Sequence, residues 1–343
     1  MAHFNIPIFI PHMGCPNQCV FCNQRSISGC TSFRKEDVKP KIEAALQTIK
    51  RGSDVEIAFF GGSFTGIDRD LMIDLLECAE GYVRRGAVSS IRLSTRPDYV
   101  SKEILEILSR YSVRVIELGL QSMDDGVLMA SKRGHTARQA KEACRMVRAA
   151  GFSLVGQMMI GLPGADLETE LETAHEIVRL GADYARIYPT VVFYGTPLHE
   201  MARNGEYEPL SLRDAVARSA AVLRVFWKNG VPCIRIGLCA GEDFSSDDKV
   251  YAGPNHAALG EMVWNELYYE KLTARLSQGG FLGHEIDLHL PQNEISKYVG
   301  QRRTNIERLL RETDTRVRKI VGEKNLDEPM PCAVSKGPRE EEE

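Results

Sequence analysis

The sequence predicts an α/β fold, a partial (β/α)6 TIM-like barrel followed by a small α+β C-terminal extension. Two observations lead there. Short apolar runs alternate with stretches of helical period, the pattern of parallel strands joined by crossover helices. The residues best suited to chemistry fall just past the ends of the apolar runs, where parallel barrels place their sites. Spacing alone also fits an open doubly wound sheet.

The elements follow in order. Ile6 to Pro11 reads as a strand, with Cys15, Cys19 and Cys22 directly after it. Lys35 to Lys50 has helical period. Val55 to Phe60 is an apolar run that stops at Gly61-Gly62, and Arg69 to Arg84 is amphipathic. Ile91 to Ser94 leads into Thr95-Arg96-Pro97, then Lys102 to Ser109 reads as helix. Val113 to Leu120 precedes Gln121-Ser122, and Ala137 to Ala150 is the next helix. Ser153 to Ile160 ends at Gly161-Leu162-Pro163-Gly164, before the helix Leu167 to Leu180. Tyr184 to Val192 is the sixth strand and Leu212 to Asn229 the sixth crossover helix. Residues 1–230 are therefore expected to form the barrel, 231–283 an extension packed on it, 284–326 a small basic α+β element, and 327–343 a disordered acidic tail.

Composition excludes several classes. The 343 residues carry 43% hydrophobic content and a formal charge of −4. No global basicity points to DNA or RNA. There is no apolar run of the ~18 residues or more that a membrane span requires. The N-terminus shows no basic region followed by an apolar stretch and cleavage site, so a cytoplasmic location is expected. Nine cysteines, three clustered and six scattered, suit a reducing compartment and a metal site.

The cysteine loop, Cys-Pro-Asn-Gln-Cys-Val-Phe-Cys, carries the functional reading. Three thiolates on one short loop can hold three irons of a cubic 4Fe–4S cluster and leave the fourth open to a substrate or cofactor, whereas four-cysteine clusters are closed. Phe21 would set an aromatic ring against that loop. A zinc loop with His12 as fourth ligand is the competing reading by position, although structural zinc normally takes two pairs of ligands. Gly61 and Gly62 allow close backbone approach to a ligand. Arg96 offers a guanidinium fork for a carboxylate or phosphate. Gln121 and Ser122 offer hydrogen bonds, or cap a strand end. Arg186, inside an apolar run, is either a catalytic or phosphate-binding cation or half of a structural ion pair. Tyr188 and Tyr194 lie near the predicted mouth, where they would contact substrate, relay a hydrogen atom or pack the core.

Cys-x3-Cys-x2-Cys with an aromatic before the third cysteine resembles the signature of the radical S-adenosylmethionine (SAM) superfamily. The cysteine loop after the first run, together with this family resemblance that it carries, points to the barrel over the open sheet. The resemblance implies a 4Fe–4S cluster on Cys15, Cys19 and Cys22, SAM chelated to its open iron, and reductive cleavage of SAM to a 5′-deoxyadenosyl radical. It implies a reductant such as flavodoxin or ferredoxin. It also implies that loops 61–65, 94–98, 117–122 and 157–163 hold SAM. Phe21, Gly61, Gly62, Ser63, Phe64, Ser94, Arg96, Gln121 and Gln157 are then the cofactor contacts, and Arg96, Gln121 and Tyr188 the catalytic candidates. Ser63 stands where the family usually has glutamate.

Longer phrases are similar to the elongator catalytic subunit family: Gly-Gly-Ser-Phe-Thr-Gly (61–66), Ser-Thr-Arg-Pro-Asp-Tyr (94–99), Glu-Leu-Gly-Leu-Gln-Ser (117–122), Arg-Gly-His-Thr (133–136) and Gln-Met-Met-Ile-Gly-Leu-Pro-Gly (157–164). The run 186–198, Arg-Ile-Gly-Leu (235–238) and Ala-Gly-Pro-Asn-His (252–256) continue the likeness, which covers about residues 5 to 275. That implies tRNA wobble-uridine modification. Two departures stand out. The first two cysteines are closer together than in those subunits, and the residues past 283 leave no room for their acetyl-CoA-binding acetyltransferase domain.

Past the barrel, Asp287 to Leu290 and Thr315 to Val321 read as strands. Gln292 to Tyr298 and Thr304 to Arg311 read as short helices around Gly300-Gln301-Arg302-Arg303. Between Lys297 and Lys324 there are nine Lys or Arg against four Asp or Glu, a local balance of +5. Helix, Gly-x-x turn, helix resembles a KH-type RNA module, with Arg303 in place of its second glycine. An ordinary solvated helical cap is the alternative. The remaining cysteines are expected in the core, with Cys233 or Cys239 a candidate second thiol. His135 and His256 are candidates for substrate-side contacts. The sequence thus points to a radical SAM enzyme on a tRNA base. The alternatives are a radical SAM enzyme on a small metabolite or peptide, and a non-enzymatic metal-binding protein.

Overall fold

A computed structural model describes residues 3–11, 13–15, 19–23, 33–50, 52–238 and 249–333. They form two compact units that divide between Ala257 and Ala258. The first unit runs β1 (His3–Ile10), α1 (Val38–Thr48), β2 (Asp54–Gly61), α2 (Arg69–Arg84), β3 (Ser90–Thr95), α3 (Lys102–Leu108) and β4 (Val113–Gln121). It continues through α4 (Asp125–Ala130), α5 (Ala137–Ala149), β5 (Ser153–Ile160), α6 (Leu167–Arg179), β6 (Tyr184–Pro189) and β7 (Val192–Phe193). It ends with α7 (Pro197–Arg203), α8 (Leu212–Lys228), β8 (Cys233–Ile236) and β9 (Val250–Ala252).

The main sheet has seven strands in the order β1-β2-β3-β4-β5-β6-β8, and every neighbouring pair is parallel. Sequential order with helical crossovers curls it into a partial barrel, with β1 and β8 at the two edges. This is the expected architecture with one strand more. Cys233–Ile236, placed by sequence in the extension, pairs with β6 and completes the sheet. The sequence reads a strand-like segment between Cys233 and Cys239 but places it after the barrel, since pairing with β6 is not encoded locally.

Sequence places the helix starts plainly. Asp68, Ser101, Asp124, Thr136, Asp166, Thr196 and Ser211 each accept a backbone N–H of the first turn that follows. Such caps are each worth ~1 kcal/mol. The strands are covered by helices on one face, so β2 buries five consecutive residues, Val55 to Phe59. Their other face lines a cavity, which is where polar residues interrupt the apolar runs.

The second unit contains α9 (Leu259–Gln278), β10 (Glu285–Pro291), α10 (Ile295–Val299), α11 (Thr304–Thr313), β11 (Arg316–Glu323) and β12 (Met330–Ala333). Its sheet has the order β11-β10-β12, parallel on one side of β10 and antiparallel on the other. Leu272, Leu276, Ile286, Leu288, Leu290, Tyr298 and Leu309 form its core. Two expected boundaries shift. The 231–283 extension is divided between the units, because the apolar face of α9 packs against this small sheet. Part of the stretch 327–343, expected to be disordered, is ordered, since Met330–Ala333 pairs with β10; residues 334–343 lie outside the described residues.

Phe59 is fully buried and stacks on Phe64 with ring centroids 4.5 Å apart. Replacing Phe59 with Ala is expected to cost about 3–5 kcal/mol, the usual range for a buried aromatic. The measurement is a lowered urea midpoint for the first unit with the transition slope unchanged.

Candidate functional site

The polar strand ends converge on one cavity of about 1410 Å³, lined by Cys15, Cys19, Phe21 and Cys22 from the first loop and by Gly61 and Gly62 from the second. Ser94, Thr95 and Arg96 line it from β3 and its loop, Gly119 and Gln121 from β4, Gln157 from β5, and Arg186 and Tyr188 from β6. None of the three cysteines forms a disulfide. Among the described residues, no three His, Cys, Asp or Glu side chains are arranged to cage a single metal ion. The fourth ligand of the zinc reading, His12, lies outside the described residues.

Backbone contacts seat the cysteine loop. Gly62 N–H donates to Ile10 O at 2.9 Å and Ser63 N–H to Met13 O at 3.0 Å. A Cβ on Gly62 would stand 2.0 Å from Met13 O, and one on Gly14 would stand 2.2 Å from Ser63 O. The glycine pair thus admits the backbone of the cysteine loop, a role that the expectation of ligand approach did not include. Farther along, Val20 N–H donates to Ser131 O at 3.1 Å and Leu198 N–H to Val20 O at 2.9 Å. Val20, Val192, Leu198 and Tyr207 form a small buried cluster, with Phe21 packed against it.

Two buried guanidiniums face Cys19. Arg133 donates from Nη1 to Cys19 Sγ at 3.4 Å and from Nη2 to Gly119 O at 2.7 Å. Arg96 presents Nη1 to the same sulfur at 4.0 Å. Its other nitrogens fork onto Asp98 at 2.9 Å each, and Nη2 also reaches Arg133 O at 2.7 Å. Sequence reasoning offered the Arg96 fork to a carboxylate of SAM or substrate; in the structure Asp98 takes it, two residues away. Burial pushes the Cys15 thiol up, while Arg133 and Arg96 pull it back. Arg133 was not singled out from the sequence. Its signal was the phrase Arg-Gly-His-Thr, from which only the histidine was taken.

Two expected cofactor contacts point elsewhere. Ser63 and Phe64 do not line the cavity. The Ser63 hydroxyl is fully buried, hydrogen-bonded to Thr95 Oγ1 at 2.7 Å and accepting Arg96 N–H at 3.3 Å. Phe64 is held by its stack on Phe59. Both follow from a one-turn 3-10 helix at Phe64–Gly66 that folds these side chains under the loop. Gln121 does reach the cavity: a register shift in β4 between Gly119 and Gln121 puts it at φ +69°. A left-handed non-glycine is uncommon and is held here by its surroundings. Gln157 donates from Nε2 to its Oε1 at 3.3 Å.

At the other end of the cavity, charges pair. Arg186 donates to Glu117 at 3.0 Å and to the Tyr188 hydroxyl at 3.1 Å, with Phe60 beneath its guanidinium at 5.3 Å. Arg92 lies 3.3 Å from Glu56 and 3.5 Å from Glu117. Burial pushes the Glu117 carboxyl up, and the two guanidiniums pull it back. Arg186 is therefore half of an ion pair. Tyr194 is exposed, edge-on to His199 and Tyr251, and does not line the cavity. The Cys233 thiol donates to Arg235 O at 3.3 Å, and burial raises it to about 12, as for an inert core thiol; Cys239 lies outside the described residues.

The Radical SAM superfamily pattern matches residues 9–177 and the Radical_SAM C-terminal domain residues 182–269. An uncharacterized protein of Methanocaldococcus jannaschii is 31% identical over 219 residues, which are 60% of this chain and 67% of that protein. The chain belongs to the radical SAM superfamily. A 4Fe–4S cluster and S-adenosylmethionine are the cofactors of radical SAM enzymes. Human Elongator complex protein 3 is 27% identical over 247 residues, 60% of this chain and 45% of its own. The chain thus spans about half the length of the elongator relatives. A tRNA uridine(34) acetyltransferase of Methanocaldococcus jannaschii is 36% identical over 128 residues, 36% of this chain and 24% of that protein. The archaeal Methanocaldococcus infernus Elp3 shares the fold, with a TM-score of 0.57 at 18% identity over 81% of this chain and 63% of that one. This radical SAM core is therefore Elp3-like. Among the described residues, no helix is long and apolar enough to cross a membrane.

In the second unit the turn at Gly300 takes a defined shape. Gly300 has φ +75°, and a Cβ there would meet Thr304 Oγ1 at 2.7 Å. Arg302 and Arg303 are exposed and both left-handed, at φ +53° and +65°. The position where a Gly-x-x-Gly turn has its second glycine thus keeps a glycine-type conformation with an arginine side chain.

His135, buried beside Arg133, titrates near 4 instead of 6.5, because burial and the neighbouring guanidinium disfavour its charged form. The unfolded chain then takes up this proton at higher pH than the folded one. Stability present above pH 6.5 is lost as pH falls toward 4, by up to about 3 kcal/mol. Replacing His135 with Gln is expected to shrink that acid loss, measured by urea unfolding at neutral pH and at about pH 4.5.

Proposed function

We propose that this chain is a radical SAM enzyme that modifies a tRNA base of the wobble-uridine type, with Cys15, Cys19 and Cys22 holding the 4Fe–4S cluster. The observation that carries the reading is the single cavity in which three thiols, a glycine-lined backbone edge and the polar ends of β3 to β6 meet. The residues fit the cluster. Three soft sulfur donors face it, and two buried guanidiniums beside Cys19 suit an anionic group. Arg133 Nε is buried without a hydrogen-bond partner of its own. When bound, the cluster supplies one electron and an open iron site, and SAM supplies the radical precursor.

The chain's own residues bind and orient. Gln121 and Gln157 offer amides from adjacent strand ends, and Ser94 and Thr95 offer hydroxyls. Phe21 closes the wall beside Cys22. At about 1410 Å³ the cavity exceeds the ~300–1,000 Å³ of sites for one small molecule. That leaves room for a base taken out of its stack beside the cofactor, as enzymes acting on bases require. The tRNA reading is supported by the likeness to the tRNA uridine(34) acetyltransferase and by the exposed arginine turn of the second unit. Exposed cations there would contact phosphates without reading sequence.

Replacing any one of the three cysteines with Ala is expected to remove the cluster and 5′-deoxyadenosine formation together. The check is iron and sulfide content and product analysis after anaerobic reconstitution; a variant that keeps both refutes the assignment. Replacing Arg302 and Arg303 together with Glu is expected to weaken binding of bulk tRNA at least tenfold and to flatten its salt dependence, with cofactor cleavage retained. A wild-type enzyme that cleaves SAM yet shows no salt-dependent tRNA binding returns the small-metabolite or peptide reading.

A further inference from the structure

We infer that Arg133 is a positioning residue that raises the reduction potential of the cluster through its hydrogen bond to Cys19. The inference rests on the proposed cluster assignment and adds a residue to it. Three features of the site carry it. Arg133 is 7% exposed and places Nη1 3.4 Å from Cys19 Sγ. Its orientation is fixed twice, by Nη2 on Gly119 O at 2.7 Å and by its own carbonyl accepting from Arg96 at 2.7 Å. Gly119 is small enough to permit this, since a Cβ there would stand 2.9 Å from Arg133 Nη2.

Charge completes the argument. Among the described residues Arg96 pairs with Asp98, but no carboxylate lies within ion-pair distance of Arg133. A buried cation without a counter-charge costs several kcal/mol. The sulfur is the group placed to carry that charge. A charge-assisted donor aimed at a cluster ligand favours the more electron-rich form, and hydrogen bonds to the sulfurs are among the factors that set these potentials. Adding one electron makes the cluster more negative by one unit, so the guanidinium stabilises the reduced state more than the oxidised state. Removing it makes reduction harder.

The test uses the full-length reconstituted protein and Arg133→Met, which keeps bulk but has neither charge nor donor. The midpoint potential of the cluster is read by a redox titration followed by EPR. The expected result is a more negative midpoint in Arg133→Met, with slower SAM cleavage under a weak reductant and recovery under a stronger one. An unchanged or more positive midpoint, on a cluster of normal iron content, overturns the inference and leaves the cysteine assignment standing. A wild-type protein without a four-iron cluster refutes both. If Arg133→Met does not retain its cluster, Arg133→Gln, which keeps a neutral donor without the charge, takes its place; a more negative midpoint there supports the inference and an unchanged or more positive one overturns it.

Discussion

The site depends on how closely two loop backbones approach at the top of β1 and β2. The carbonyl of Met13 and the carbonyl of Ser63 each occupy space that a side chain on the facing glycine would fill. That contact sets how closely Met13 and Gly14 sit against Gly62 and Ser63. Gly62 and Ser63 N–H groups then lock it with two hydrogen bonds to the first strand and its loop. Flexible cysteine loops can pay for ordering from metal binding alone, but each fixed residue costs ~1–2 kcal/mol of backbone entropy. Here the sheet supplies part of that ordering in advance, so the thiols are held at the cavity by the fold.

Much of this was legible in the sequence, because the strands alternate with well-capped helices. Arg69 to Arg84 was bounded correctly, since Asp68 caps its start. The loops after β1 to β6 were found because glycines and polar residues end each apolar run. The strand-like run after Cys233 was legible, but its place in the sheet was not: Cys233–Ile236 joins the barrel by pairing with β6, and no local pattern encodes that partner. Ser63 and Phe64 were misplaced because a motif gives positions along the chain, and the turn at Phe64–Gly66 decides direction. Arg133 was overlooked because it lies after a helix, α4, and away from any strand end. It reaches the site only because its side chain spans from that loop back to Gly119 and Cys19.

The second unit shows the same division between pattern and packing. Its strands and helices follow from apolar residues that now meet around Tyr298, yet its N-terminal helix α9 was assigned elsewhere. A long helix declares its apolar stripe but not the partner that covers it. The turn at Gly300 is different in kind. Left-handed arginines at two successive positions are costly without a glycine, and their retention on an exposed surface calls for a reason beyond packing. The hydrogen-bonded start of α11 supplies only part of one, since Arg303 offers no side-chain cap.

Charge balance along the cavity separates its two ends. At the inner end, Glu56 and Glu117 meet Arg92 and Arg186, two carboxylates against two guanidiniums, with Ser90 and Ser94 completing the carboxylate hydrogen bonds. That network is neutral within itself, and such buried pairs add little net stability while making the loss of one partner expensive. It forms part of a polar floor that His3, Asp54 and Arg235 also line. At the mouth, Arg96 and Arg133 face Cys19, and among the described residues Asp98 is the carboxylate that pairs with Arg96. The excess there is positive and lies against sulfur. An anionic group is therefore favoured at the mouth, where the proposed cluster would sit, and the inner network shapes the space behind it.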